Sequence, residues 1–192
     1  LSRDAQRSGA DALLVVTPYY NKATQAGLIR HYTTLADAVS CPVILYNVPS
    51  STGVNIAPET CAQLAEHRNI LGIKEASGDL GAVQRIRSLC PEDFYIWSGN
   101  DDETVPICAL GGKGVISVAA NVIPAQMHRL VELCLQNDFA AAGALQVALK
   151  PLCDALFCEV NPIPVKTALN LMGWEAGPLR LPLCQPSEEH LR

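Results

Sequence analysis

The sequence predicts an α/β fold of the (β/α)₈ barrel type, with about five βα units in these 192 residues. Short apolar runs alternate regularly with helical patterns, which calls for parallel strands joined by helical crossovers. Polar and unusual residues gather where those runs end: Tyr19 and Tyr20, Tyr46 and Asn47, Lys74 and Glu75, Ser98 to Asp101, and Ser117. Strand-end side chains converging on one mouth are the barrel pattern. The competing open sheet would show a Gly-x-Gly-x-x-Gly after its first strand, and neither that fingerprint nor a phosphate-loop motif occurs.

The first strand is read at Ala12–Thr17, followed by a helix from about Thr24 to Val39 with Leu28, His31, Tyr32 and Leu35 near one face. Val43–Tyr46 is the second strand, leading through the loop Asn47–Gly53 to a helix opening at Pro58, whose fixed φ suits a first turn. Ile70–Lys74 precedes a helix over Leu80–Leu89, and Phe94–Trp97 precedes one near Glu103–Leu110. Gly114–Ser117 completes the strands and leads to a helix at about Pro124–Gln136. Two helical stretches follow, Phe139–Phe157 and Pro162–Met172, the last with Asn161 as N-cap and Pro at its first position. Five strands cannot close a barrel, so roughly three further βα units, about 90 residues, are expected N-terminal to this stretch. Residues 1–136 then form the C-terminal part of the barrel and 137–192 a helical region.

Composition narrows the function. A formal net charge of -5 and the lack of basic runs argue against a nucleic-acid partner. The 4 histidines have no metal-ligand spacing, so neither a metal nor another cofactor is expected. The 8 cysteines are scattered, mostly in apolar runs, and read as reduced thiols in a cytoplasmic protein. No apolar run is read as reaching the ~20 residues that span a bilayer, so no membrane partner is expected.

The chemistry centres on Asn69-Ile-Leu-Gly-Ile-Lys-Glu-Ala-Ser-Gly-Asp79, where an apolar run ends on Lys74. An ammonium held against low-dielectric surroundings loses its proton more readily, and a neutral amine is what attacks a carbonyl to form an imine. The same residue also reads as a lysine snorkelling to water. Tyr46 reads as a proton relay beside Lys74 or as an aromatic packed at a sheet end. Tyr19 and Tyr20 could equally cover the barrel rim. Glu75, next along the strand, points to the opposite side and reads as a contact with the helix layer. Asp101 and Asp102 read as the N-cap and first-turn acid of the next helix. Gly111-Gly-Lys-Gly114 precedes a strand rather than a helix N-terminus, which makes it a tight connector and not a phosphate cradle.

Six motifs carry a resemblance: Val16-Thr-Pro-Tyr-Tyr-Asn21, Leu45-Tyr-Asn-Val-Pro-Ser50, Gly72-Ile-Lys-Glu-Ala-Ser-Gly78, Ser98-Gly-Asn-Asp101, Gly111-Gly-Lys-Gly-Val-Ile-Ser117 and Asn161-Pro-Ile-Pro-Val-Lys166. In this order they resemble the 4-hydroxy-tetrahydrodipicolinate synthase (dihydrodipicolinate synthase) family of lysine biosynthesis, across essentially the whole chain. The double tyrosine and the Asn-Pro-Ile-Pro-Val-Lys element look more like the synthases than their sister aldolases.

The resemblance implies a homotetrameric (β/α)₈ lyase of the class I aldolase type that condenses pyruvate with aspartate 4-semialdehyde. Lys74 would form the imine with pyruvate, Tyr46 would be the relay, and Tyr20 would complete a hydroxyl chain in a neighbouring subunit's site. The backbone carbonyl of Ile116 would line the site, and Tyr19 would lie near the inter-subunit site where lysine inhibits many members. Two departures stand out. Ser51 replaces the family arginine that grips the second substrate's carboxylate, losing a bidentate, permanently charged contact. The family's Thr-Thr-Gly-Glu motif, which holds pyruvate, is not in this chain, so the stretch alone is expected to be inactive. Ser51 also motivates an alternative, a sister aldolase acting on a sugar-derived 2-oxo acid. A third reading is a non-catalytic homologue that binds a 2-oxo acid or an amino acid.

Overall fold

A computed structural model describes residues 1–191; Arg192, the last residue of the expected helical region, lies outside them. The chain divides into two compact units, Leu1–Ile116 and Ser117–Arg192.

The first unit is a parallel sheet in the order β1 (Leu13–Val16), β2 (Val43–Asn47), β3 (Ile70–Glu75), β4 (Tyr95–Ser98), with helices as crossovers. Its helices are α1 (Ser2–Arg7), α2 (Gln25–Asp37), α3 (Pro49–Thr52), α4 (Pro58–Ala65), α5 (Leu80–Leu89) and α6 (Thr104–Ala109). Each main crossover has a physical reason to start where it does. Thr24 caps α2 by accepting from Gly27 N at 3.2 Å, and Asp79 caps α5 by accepting from Ala82 N at 3.0 Å. Pro58 opens α4 as expected. The buried stripe of α2 is Leu28, Tyr32 and Ala36, a four-residue repeat that leaves His31 exposed, contrary to expectation. The sequence pattern does not predict the short helices α1 and α3. Each is little more than one turn, too short to show a periodicity.

Alternation along the strands divides the sheet into two faces. Leu13, Val43, Leu45, Ile73 and Ile96 are buried on the helix side, where Leu45 and Ile73 join one core with residues of α2, α4 and α5. The opposite face presents Leu14, Val16, Ile44, Tyr46, Lys74 and Trp97, all less buried. Gly72 lets β3 and β4 approach closely, since a Cβ there would meet Tyr95 O at 2.1 Å. The fifth strand is shorter than expected. Residues 113–116 run beside β4 through Lys113 N to Ile96 O (2.8 Å), Ser98 N to Gly114 O (2.9 Å) and Ile116 N to Ser98 O (2.9 Å). Only Val115 forms a true bridge, with Ser98, because a glycine turn precedes it and a 3₁₀ turn at Ala119–Asn121 soon follows.

The second unit packs α7 (Pro124–Leu135) on α8 (Phe139–Leu156) and α8 on α9 (Ile163–Leu171). Asp138 caps α8 by accepting from Ala141 N at 3.1 Å. By length and a mean hydropathy of 1.3, α8 is apolar enough to cross a membrane, although Lys150 and Asp154 interrupt its apolar run. Those two pair with each other on the helix surface. Helix α9 begins one residue later than expected, with Pro162 rather than Asn161 at the cap position, so the Asn161 cap is not formed.

At the far end of β2 and β3 lies a buried polar lock. Glu75, 2% exposed, accepts from Asn47 Nδ2 at 2.9 Å and from Ser77 N at 2.7 Å. Asn47 also donates to Asn55 Oδ1 at 2.7 Å and accepts from Ile56 N at 3.0 Å. Burial raises the Glu75 pKa above the ordinary 4.5, so its ionisation opposes folding as pH rises past that value. The hydrogen bonds from Ser77 and Asn47 offset part of this cost. Asn47→Leu leaves Glu75 and Ile56 N short of partners in the interior, so a loss of about 2–4 kcal/mol is expected. Urea unfolding at neutral pH measures it, and a change below about 0.5 kcal/mol would show the lock to be idle.

Candidate active site

The register that places Asn47 beside Glu75 on the helix side places Tyr46 beside Lys74 on the other. Lys74 therefore emerges from β3 next to an aromatic ring from β2, with its Nζ 4.2 Å from the Tyr46 ring centroid. That distance is a cation–π contact when the amine is charged. Both side chains are partly buried. Burial lowers the Lys74 pKa below the ordinary 10.5, and the Asp101 carboxylate pulls the other way. Burial also raises the Tyr46 pKa, so the phenol keeps its proton at neutral pH and can donate it. A lysine that burial makes easier to deprotonate, beside a phenol that is protonated at neutral pH, is an arrangement that can supply a nucleophile and a proton.

The loop after β4 seats the lysine. Gly99 N donates to Glu75 O at 2.7 Å, drawing this loop against the end of β3. A Cβ on residue 99 would lie 2.5 Å from Ala76 Cβ and 3.1 Å from Lys74 Cε, so only glycine leaves the lysine stem its place. Ser98 and Asn100 then close a tight turn, Asn100 N donating to Ser98 Oγ at 3.1 Å. Asp101 departs from expectation. It begins a 3₁₀ turn with Asn100 at the cap position, and it is 3% exposed rather than a solvated cap. Its charge bears on Lys74, a link that the spacing of 27 residues conceals and only the β3–β4 pairing reveals.

Tyr20 is 90% exposed and Tyr19 69%, so neither packs against the lysine within its own chain. Tyr20 holds a left-handed φ of 70°, a backbone state uncommon for a bulky side chain. Ser51 is exposed within α3, the turn that follows β2. The Ile116 backbone is fixed beside β4 by its N–H bond to Ser98 O.

The lowered pKa yields a substrate-free expectation. In ¹³C-methyl NMR of the reductively methylated protein, the Lys74 signal should titrate below 10.5, because the buried ammonium gives up its proton where a solvated lysine keeps it. Titration at or above 10.5 would mean that the ring contact and Asp101 outweigh burial.

Comparison with known proteins points the same way. The model of the dihydrodipicolinate synthetase family matches residues 1–192. The 4-hydroxy-tetrahydrodipicolinate synthase of Thermoanaerobacter sp. (strain X514) is 54% identical over 100% of this chain and 65% of its own length. The crystal structure of dihydrodipicolinate synthase from Thermotoga maritima superposes with a TM-score of 0.96 at 46% identity, covering 99% of this chain and 66% of that one. The chloride-inhibited synthase from Acinetobacter baumannii, complexed with pyruvate, superposes with a TM-score of 0.95 at 42% identity, covering 99% of this chain and 65% of that one. The chain thus spans about 65% of the length of such relatives, and its sheet and helices are part of their barrel fold. It belongs to the dihydrodipicolinate synthetase family.

Proposed function

We propose that the full-length protein is a lyase of the class I aldolase type that condenses pyruvate with aspartate 4-semialdehyde in lysine biosynthesis. The observation that carries this is the Lys74–Tyr46 pair, an amine whose pKa burial lowers, 4.2 Å from the ring of a phenol that stays protonated at neutral pH. Family membership and the pyruvate complex of the Acinetobacter baumannii relative support the choice of first substrate.

The chemistry follows from those two groups. Lys74 Nζ attacks C2 of pyruvate, and Tyr46 delivers a proton to the resulting hydroxyl so that it leaves as water, giving the imine. The Tyr46 phenolate left by that step takes a methyl proton to give the enamine, whose carbon attacks the aldehyde to form the new carbon–carbon bond while Tyr46 returns the proton to the aldehyde oxygen. The amine of the second substrate then closes onto the imine carbon and displaces Lys74. The Ile116 carbonyl lines this site, and Ser51 stands at the loop facing the second substrate. The proposed assembly is a cytoplasmic homotetramer in which Tyr20, projecting from its own chain, completes a neighbour's proton relay. Tyr19 beside it borders a lysine-inhibitor site. Residues 1–136 are the barrel portion and 137–192 the helical appendage.

Borohydride reduction of the full-length protein with pyruvate should add a pyruvyl group to the peptide containing Gly72–Gly78, and Tyr46→Phe should slow turnover roughly 10²–10⁴-fold with little change in melting temperature. A label on Lys22 or Lys166 would remove Lys74 from the nucleophile's role. An unimpaired Tyr46→Phe enzyme would return Tyr46 to simple packing.

A further inference from the structure

The mouth of the sheet has an uneven charge. Among the described residues, the loops that leave the C-terminal ends of β1 to β4 carry one cation, Lys22, besides Lys74 within β3 itself. Acids collect on the β3 and β4 side, at Asp79, Asp101, Asp102 and Glu103. In the sheet order β1-β2-β3-β4, Lys74 thus lies between an acidic flank and a flank whose sole formal charge is Lys22. An anion approaching Lys74 is repelled from one side and drawn along the other.

Lys22 also lies against the loop that carries Ser51. Its stem passes over the end of the Ser51 loop, with Cε 3.5 Å and Cγ 4.0 Å from where a Cβ on Gly53 would stand. The chain holds Lys22 at a left-handed φ of 50°, although Asn21, the residue type that accepts such a φ more readily, is its neighbour. No hydrogen bond or ion pair among the described residues engages its ammonium. Ser51, on the same loop, supplies a hydroxyl and no charge.

We infer that Lys22 is the cation that binds the carboxylate of the second substrate, an aldehyde acid, beside the Ser51–Gly53 loop. This rests on the imine chemistry at Lys74 and adds to it a residue that determines which electrophile is accepted. Lys22 acts as a point charge with three donors, and Ser51 contributes the neutral hydrogen bond beside it.

The test is steady-state kinetics of the full-length protein, with borohydride trapping of pyruvate as an independent readout. Lys22→Met should raise KM for the carboxylate-bearing aldehyde by about ten- to a hundredfold, in line with the loss of a charged hydrogen bond. KM for pyruvate and trapping at Lys74 should stay near wild type. Lys22→Arg should restore most of the lost affinity, and Ser51→Arg in the Lys22→Met background should do so by supplying a guanidinium on the same loop. An unchanged KM for the aldehyde in Lys22→Met, or equal increases for both substrates, would overturn the assignment. Failure of wild type to trap pyruvate would instead overturn the imine reading beneath it.

Discussion

The structure depends on one pairing, the parallel register that sets Tyr46 against Lys74 and, one residue on, Asn47 against Glu75. Because side chains alternate across a sheet, these neighbouring pairs face opposite ways. One pair, partly exposed at the strand ends, is the proposed site of chemistry; the other is buried on the helix side. A slip of a single residue would exchange the faces, burying the lysine and exposing the carboxylate. The Asn47–Glu75 lock therefore does more than satisfy a buried acid. It ties β2 to β3 at the one place where a shift would separate the amine from the phenol.

The same geometry sets the electrostatics. Lys74 is shielded enough for burial to lower its pKa, and the Asp101 carboxylate opposes that shift. Tyr46 is shielded enough to hold its proton. Gly99 admits the lysine stem by having no side chain, so the site is shaped as much by an absence as by the groups present. The charges around the mouth add a direction of approach, acidic on the β4 side and basic at Lys22.

Most of the barrel repeat was legible because each strand is a short apolar run closed by polar residues, and each long helix has a cap or a proline at its start. Glu75 was legible for the same reason, since strand alternation alone sends it away from Lys74. What was not legible depended on contacts between distant segments. The burial of Asp101 and its influence on Lys74 arise from strand pairing, and the approach of Lys22 to Gly53 joins two loops 31 positions apart. The weakness of the fifth strand reflects glycines that a propensity reading treats only as punctuation. Ser51 suggested a sister aldolase, but the synthases at 54% and 46% identity leave that alternative without support.

In the proposed reaction Lys74 and Tyr46 act together on one carbonyl. The most direct measurement is a crystal structure of the full-length protein soaked with pyruvate. Continuous electron density from Lys74 Nζ to C2 of pyruvate is expected, with the Tyr46 hydroxyl within about 3 Å of the reacting centre. An unmodified Lys74 with pyruvate bound elsewhere, or an adduct with Tyr46 turned away, would contradict it.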